Sequence, residues 1–258
     1  MVLTRKHGLT AGAALFALAG CFKTFNVRQF PNNEALYVAG LQQLQLKKWD
    51  NAVLIFEKLT LELPARDTLL PASHFHLAEA YSRRGEHLLA AQSYSRLAES
   101  FATDTLADDA LYRAGREYHA LWRKPTLDPQ YGGEAVGTYE LLLGLYPESE
   151  WKDSASKQIA RLQEAFATKD YENGMHYIRR KAWDSAIIYM RDVVAKYPNT
   201  ARSRDAMLRL VDAFNAINWK DDKADVCKAL VEKYKSDPEV AAACPPVAAT
   251  QPVLPRAP

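Results

Sequence analysis

The chain has 258 residues, 48% hydrophobic and 25% charged, with 33 basic and 31 acidic side chains. This is the composition of a globular protein with a sizeable core. The near-neutral balance, without a polybasic run, gives no electrostatic case for nucleic acid, and five of the 13 prolines fall in the last 14 residues, leaving too little turn punctuation for an all-β fold.

The first element is MVLTRKHGLTAGAALFALAGC, in which Arg5 and Lys6 precede an uncharged run from Gly8 to Gly20. The run is too short to span a bilayer and fits the core of a secretory signal. Leu18-Ala19-Gly20-Cys21 resembles a bacterial lipobox, whose cysteine is lipidated and becomes the new N-terminus. Residues 1–20 then read as a signal peptide, and Cys21 as the lipid attachment point. Without them 31 basic residues face 31 acidic ones. By resemblance to the sorting rule of enterobacterial lipoproteins, Phe22 in place of an Asp favours passage to the outer membrane. Residues 21–31 read as a tether.

From residue 32 the chain alternates two kinds of amphipathic helix. The first kind carries a small residue and, three positions later, a larger one: Gly40 and Gln43, Ala78 and Tyr81, Gly115 and Tyr118, Gly174 and Tyr177. The second kind carries an alanine with an aromatic residue four positions on and a proline twelve on, as in Ala52, Phe56 and Pro64, or Ala135, Tyr139 and Pro147. Ala90 and Tyr94 repeat this, with Ala102 at the proline position. In AWDSAIIYMRDVVAKYPNT, Ala186, Tyr189, Met190, Val193, Val194 and Tyr197 share one helical face, Asp184 stands where an N-cap belongs, and Pro198 ends the helix. A fifth copy around Val211, Phe214 and Ala224 is degenerate.

Such a small-on-aromatic alternation resembles the tetratricopeptide repeat (TPR), a helix-turn-helix unit that stacks into a superhelix. The expected fold is therefore all-α: a TPR-like solenoid of about five units over residues 32–238. The units are longer than the usual ~34 residues. Extra length falls in 65–71, read as a long connection, in 122–133, read as an inserted loop, and before Gly174, where no breaker interrupts an extended first helix. From Glu239 the sequence is Ala/Pro/Val-rich, and 239–258 read as a disordered tail. Cys227 and Cys244 match no metal or CxxC spacing. An oxidising compartment would permit a disulfide, but the placement of Cys244 in the tail favours separate thiols.

A lipobox followed by these units resembles the BamD (ComL/YfiO) family of outer-membrane lipoproteins over residues 18–235. The most specific match runs from Tyr171 to Ile178, through Lys181-Ala182-Trp183-Asp184-Ser185-Ala186 and Tyr197-Pro198-Asn199-Thr200, to Arg204-Asp205-Ala206-Met207. Leu127-Asp128-Pro129-Gln130 and Tyr146-Pro147-Glu148-Ser149 also sit as in the family. Departures at Glu62-Leu63 before Pro64, at Ala102 and in the loop after residue 121 fall in the N-terminal half. The resemblance implies a lipid-anchored scaffold at the periplasmic face of the outer membrane, within the β-barrel assembly machinery. Its partners would be the periplasmic domains of the integral barrel-insertion protein, other assembly lipoproteins, and unfolded outer-membrane proteins met by the N-terminal units. Arg204 and Asp205 would lie at the barrel-protein interface, although both could equally serve the first turn of their own helix. Two other readings stay open: a TPR lipoprotein serving cell-envelope or cell-division machinery or acting as a secretin pilotin, and an accessory subunit of a peptidoglycan-active enzyme.

A catalytic or metal role finds no support in the residues. His74 and His76 point to different sides of a helix, and His87, His119 and His176 stand at turns or helix ends. No zinc, phosphate-loop or nucleophile-elbow motif is present, and Asp108-Asp109 and Asp221-Asp222 read as helix-start charges. No catalytic residue, cofactor, metal or nucleic acid is expected, and most aromatic residues are assigned to packing.

Overall fold

The computed structural model describes residues 25–124 and 128–245. Among these residues the only regular structure is helical. Ten helices form five antiparallel pairs: α1 (Asn33–Gln45) with α2 (Trp49–Glu62), α3 (Leu69–Arg84) with α4 (His87–Ser100), α5 (Ala107–Leu121) with α6 (Gln130–Leu145), α7 (Lys152–Arg179) with α8 (Trp183–Lys196), and α9 (Ala201–Ala216) with α10 (Lys220–Lys233). A short helix α11 (Pro238–Ala243) closes the series. Each helix packs on the next, and α1 on α3 and α7 on α9 also touch, as stacking of hairpins requires.

The turns recur with the units. In four pairs the first helix ends on a left-handed residue: Lys47, Gly85, Lys181 and Asn218, with φ between 56° and 81°. The following amide then reaches back five residues: Lys48 to Gln43, Glu86 to Tyr81, Ala182 to Tyr177 and Trp219 to Phe214, at 2.9–3.1 Å. These are Schellman caps, and the periodic larger residue of the first helix is the one whose carbonyl closes them. Only one of the four uses glycine, so lysine and asparagine accept the steric cost of the left-handed conformation.

The turn between units has its own signature. A short polar side chain four or five residues after the end of the second helix accepts from an amide ahead of it: Asp67 from Leu69 (2.8 Å), Asp104 from Leu106 (2.9 Å), Ser149 from Trp151 (3.1 Å), Thr200 from Ser203 (3.1 Å) and Asp237 from Glu239 (2.9 Å). The cap expected at Asp184 is not made. Trp183 already belongs to α8, and Asp184 lies in its first turn, where its charge faces the positive end of the helix dipole.

Packing follows the small-residue pattern. A methyl group placed on Gly40 would lie 2.7 Å from Phe56, and one on Gly115 would lie 2.6 Å from Tyr139. At Gly174 the facing side chain is Met190, not Tyr189. The large residue therefore fills the hairpin of its own unit. Four buried clusters follow in chain order, centred on Phe56, on Tyr94 with Tyr139, on Met190 with Phe214, and on Leu230 with Val240.

Four expectations need correction. Phe25, Val27 and Phe30 pack against the first cluster, so the end of the expected tether adheres to unit one. Helix α3 begins at Leu69, and Pro71 sits inside its first turn, where a missing N–H costs nothing; the connection is shorter than 65–71. The start of the expected tail is not disordered, because residues 238–243 form α11. Nor are Cys227 and Cys244 separate thiols: they are joined as a disulfide with Cα atoms 5.3 Å apart. Val240 and Cys244 are buried against Met207, Leu208 and Val211, so burial places the cysteines together. The unbroken helix expected before Gly174 is present as α7, 28 residues long.

Candidate docking site in the C-terminal units

The sequence points to the segment that follows α8. Its turn is set by Thr200, whose hydroxyl donates to the Tyr197 carbonyl (2.8 Å) and accepts from the Ser203 amide. Glu164, from the middle of α7, accepts from the amides of Ala201 (2.7 Å) and Arg202 (3.2 Å). A carboxylate thereby caps the N-terminus of α9 from outside. Lys233 of α10 donates to the Pro198 carbonyl.

Arg204 projects from this first turn into three carboxylates. Its Nε donates to Asp237 (2.6 Å), its Nη1 to Asp205 (3.0 Å) and its Nη2 to Glu239 (2.8 Å). Asp205 also accepts from Arg202 (3.1 Å), whose guanidinium lies 5.1 Å from the Tyr171 ring centre. The Arg204 hydrogen bond, helped by the Glu239 and Val240 amides, holds the Asp237 carboxyl down at about 2. Those same acids push Arg204 further above its already high range. Arg204 and Asp205 are thus brought together, as their adjacency implies, and both are engaged within the chain. Helix α11 is fastened twice, to α9 by this ionic clamp and to α10 by the disulfide. Glu239 escaped the sequence reading because it was assigned to the tail, and Asp237 because it stood at the end of the solenoid with no role read for it. The signal was present, since Tyr234-Lys235-Ser236-Asp237 repeats the spacing of Tyr197-Pro198-Asn199-Thr200.

The N-terminal units carry a second polar network. The Tyr81 hydroxyl donates to Glu57, Ser82 donates to Glu117 (2.7 Å), and His87 Nδ1 lies 2.6 Å from the other Glu117 oxygen. Arg113 forms a fork on Asp109 (2.9 and 3.0 Å) and covers the Phe75 ring. Burial, then the charge of Arg96, pushes His74 below the usual imidazole range. Among the described residues no cluster of three or more His, Cys, Asp or Glu could hold a metal. None of their helices is long and apolar enough to cross a membrane. Cys21 lies outside the described residues.

Fold and turns together define a TPR-like α-solenoid. The chain belongs to the YfiO family, described as outer membrane lipoprotein, which matches residues 30–230. Among its relatives is the outer membrane protein assembly factor BamD of Vibrio cholerae, 24% identical, with 81% of this chain aligned to 90% of that one. The BamD of Neisseria gonorrhoeae is 22% identical, with 80% of each chain covered. A solved structure, the TPR2AB-domain:pHSP90 complex of yeast Sti1, aligns with 82% of this chain and 81% of its own at a TM-score of 0.43 and 15% identity.

Proposed function

We propose that this chain is a lipid-anchored assembly factor for outer-membrane β-barrel proteins, and that it acts by binding alone. The family match over residues 30–230, with relatives named as outer membrane protein assembly factors, carries this reading. The anchor is a lipid on Cys21, which places the solenoid on the periplasmic face of the outer membrane; a second acyl chain makes such attachment stable where one is marginal. The C-terminal units dock on the periplasmic domains of the integral barrel-insertion protein, alongside other assembly lipoproteins. Arg204 and Asp205 serve that contact by fixing the α9–α11 edge, since the Arg204 donors are already directed at Asp237, Asp205 and Glu239. The N-terminal units meet unfolded barrel clients, and the exposed side chains Leu61, Leu89 and Leu145 supply apolar contacts there.

Affinity purification in detergent followed by mass spectrometry tests this. Recovery of an integral β-barrel protein, lost in an Arg204→Ala and Asp205→Ala double variant that still folds, is the expected result. Recovery of an envelope enzyme and no barrel protein would sink it. Palmitate labelling is expected to vanish in Cys21→Ala, and persistent label would refute the anchor.

A further inference from the structure

Between α5 and α7 lies a crevice of about 440 Å³ lined by Arg116, His119, Trp122, Arg123, Gln158 and Arg161. Every formal charge in it is positive. The three guanidinium groups are exposed and form no ion pair or hydrogen bond among the described residues. A neighbouring crevice that shares Arg116 is different, because Glu79 and Glu117 there offset two of its three arginines.

The second observation is buried. Trp122 is only 5% exposed, its ring is held against Phe166 at 4.5 Å and over Gly132, yet its Nε1 hydrogen has no acceptor. The side-chain oxygen of Gln158 in the same wall is also unpartnered, and turning that amide would offer donors instead. An unmet buried donor carries a penalty, and an acceptor entering the crevice removes it.

We propose that Arg116, Arg123 and Arg161, together with the Trp122 indole N–H, bind a phosphate-type oxyanion in this crevice, from an anionic lipid headgroup or from a free phosphate ester. The donor set decides between anions. One guanidinium fork satisfies a carboxylate, whereas three guanidiniums and an indole match the greater charge and the additional oxygens of a phosphate. His119 responds to the same positive field: burial first, then Arg161, holds its pKa below the ordinary value. This site is independent of the barrel-assembly reading and stands or falls without it.

The full-length protein is titrated at constant ionic strength with inorganic phosphate, by calorimetry and by indole fluorescence. Saturable binding is expected. Arg116→Gln with Arg161→Gln should weaken it by at least about tenfold per guanidinium, and Trp122→Phe, which keeps the ring, by about fivefold. Arg116 and Arg161 are exposed on α5 and α7 and Trp122 follows α5 directly, so the variants are expected to keep the helical content, which circular dichroism checks. Flotation with phosphatidylcholine vesicles, with and without phosphatidylglycerol, separates the sources. Arginine-dependent recruitment only to the anionic vesicles assigns a headgroup; phosphate binding without recruitment assigns a soluble ester. No saturable phosphate binding, or affinity unchanged in the double arginine variant, overturns the site. Competition by a peptide with a free C-terminal carboxylate at equal or greater strength, absent from its amidated form, overturns the phosphate assignment.

Discussion

Gly115→Ala tests the packing rule on which the whole solenoid rests. The new methyl would lie 2.6 Å from Tyr139 Cε1 and 2.8 Å from both Cδ1 and Cζ, well inside contact distance. Tyr139 is fully buried and has Tyr112 against it at 5.9 Å, so its ring has little freedom to retreat. Overpacking of this kind costs about 1–3 kcal/mol, while replacing a mid-helix glycine by alanine returns about 1 kcal/mol. The net expectation is a loss of about 1–2 kcal/mol, near the upper end because the obstacle is a ring wall.

Gly137→Ala is the internal control. It lies in α6, two residues before Tyr139, and an added methyl meets nothing within 4 Å. Only the helix-propensity gain remains, so this variant should be stabilised by up to about 1 kcal/mol. In urea unfolding the two variants should therefore differ by about 2–3 kcal/mol, and their melting temperatures by about 4–12 °C. Adding Tyr139→Leu to Gly115→Ala should show a favourable coupling of about 1 kcal/mol. If Gly115→Ala melts at or above Gly137→Ala, the close approach of α5 to α6 is wrong, and with it the reading of the small-residue positions.

Other variants probe separate features. Gly174→Ala should cost less than Gly115→Ala in the same unfolding assay, because the methyl meets the mobile end of Met190 at 2.7 Å. Tyr139→Phe should be at least as stable as the parent, since the buried hydroxyl has no partner; a loss above about 1 kcal/mol would require an unseen acceptor. Cys227→Ser with Cys244→Ser should lower the protection of α11 amides from hydrogen exchange. The 17-residue separation sets the scale at about 3 kcal/mol by loop-closure reasoning, and protection equal to the parent would refute the stapled end. The Asp237 carboxyl, held at about 2 by Arg204, lies below the unfolded value. Its contribution is present in full above about pH 4 and fades as the pH falls towards 2. Carboxyl-carbon NMR should show this low midpoint and its rise towards the ordinary range in Arg204→Gln; an ordinary midpoint in the parent sinks the clamp.

The hairpins were legible because close helix packing needs a small residue at a fixed place, and that need survives sequence drift. Ala52, Ala90, Ala135 and Ala186 are all fully buried, as their spacing required. The unbroken α7 was readable for a simpler reason, the absence of any breaker. The left-handed caps were not, because Lys47 and Lys181 occupy positions where glycine would have been the signal. Composition misled at the C-terminus. Alanine and valine after Glu239 look unstructured, but the Asp237 cap and burial of Val240 and Cys244 against α9 order them. The Arg116–Arg161 crevice was invisible because its members come from α5 with the residues just after it and from α7, with all of α6 between them in sequence. Adjacency could place Arg204 beside Asp205 but not beside Asp237 and Glu239.

Helix α7 explains how the two halves of the solenoid keep a fixed relation. Its 28 residues span about 42 Å. Leu162 belongs to the cluster of Tyr94 and Tyr139, while Ala167 and Tyr171 belong to that of Met190 and Phe214. Two cores therefore share one continuous hydrogen-bond ladder, with Ala155 and Leu162 serving the first towards one end of α7 and Ala167 and Tyr171 the second towards the other. The same helix supplies Glu164, which caps α9, the helix that carries Arg204. The orientation of the C-terminal clamp is consequently set by a side chain near the middle of α7. A one-residue insertion in α7 before Glu164 would turn the preceding part by about 100° relative to it. It would dislocate one core while leaving the clamp contacts of Arg204 intact. On the proposed function, with a client at one end and a partner at the other, such a strut matters more than any single contact at either end.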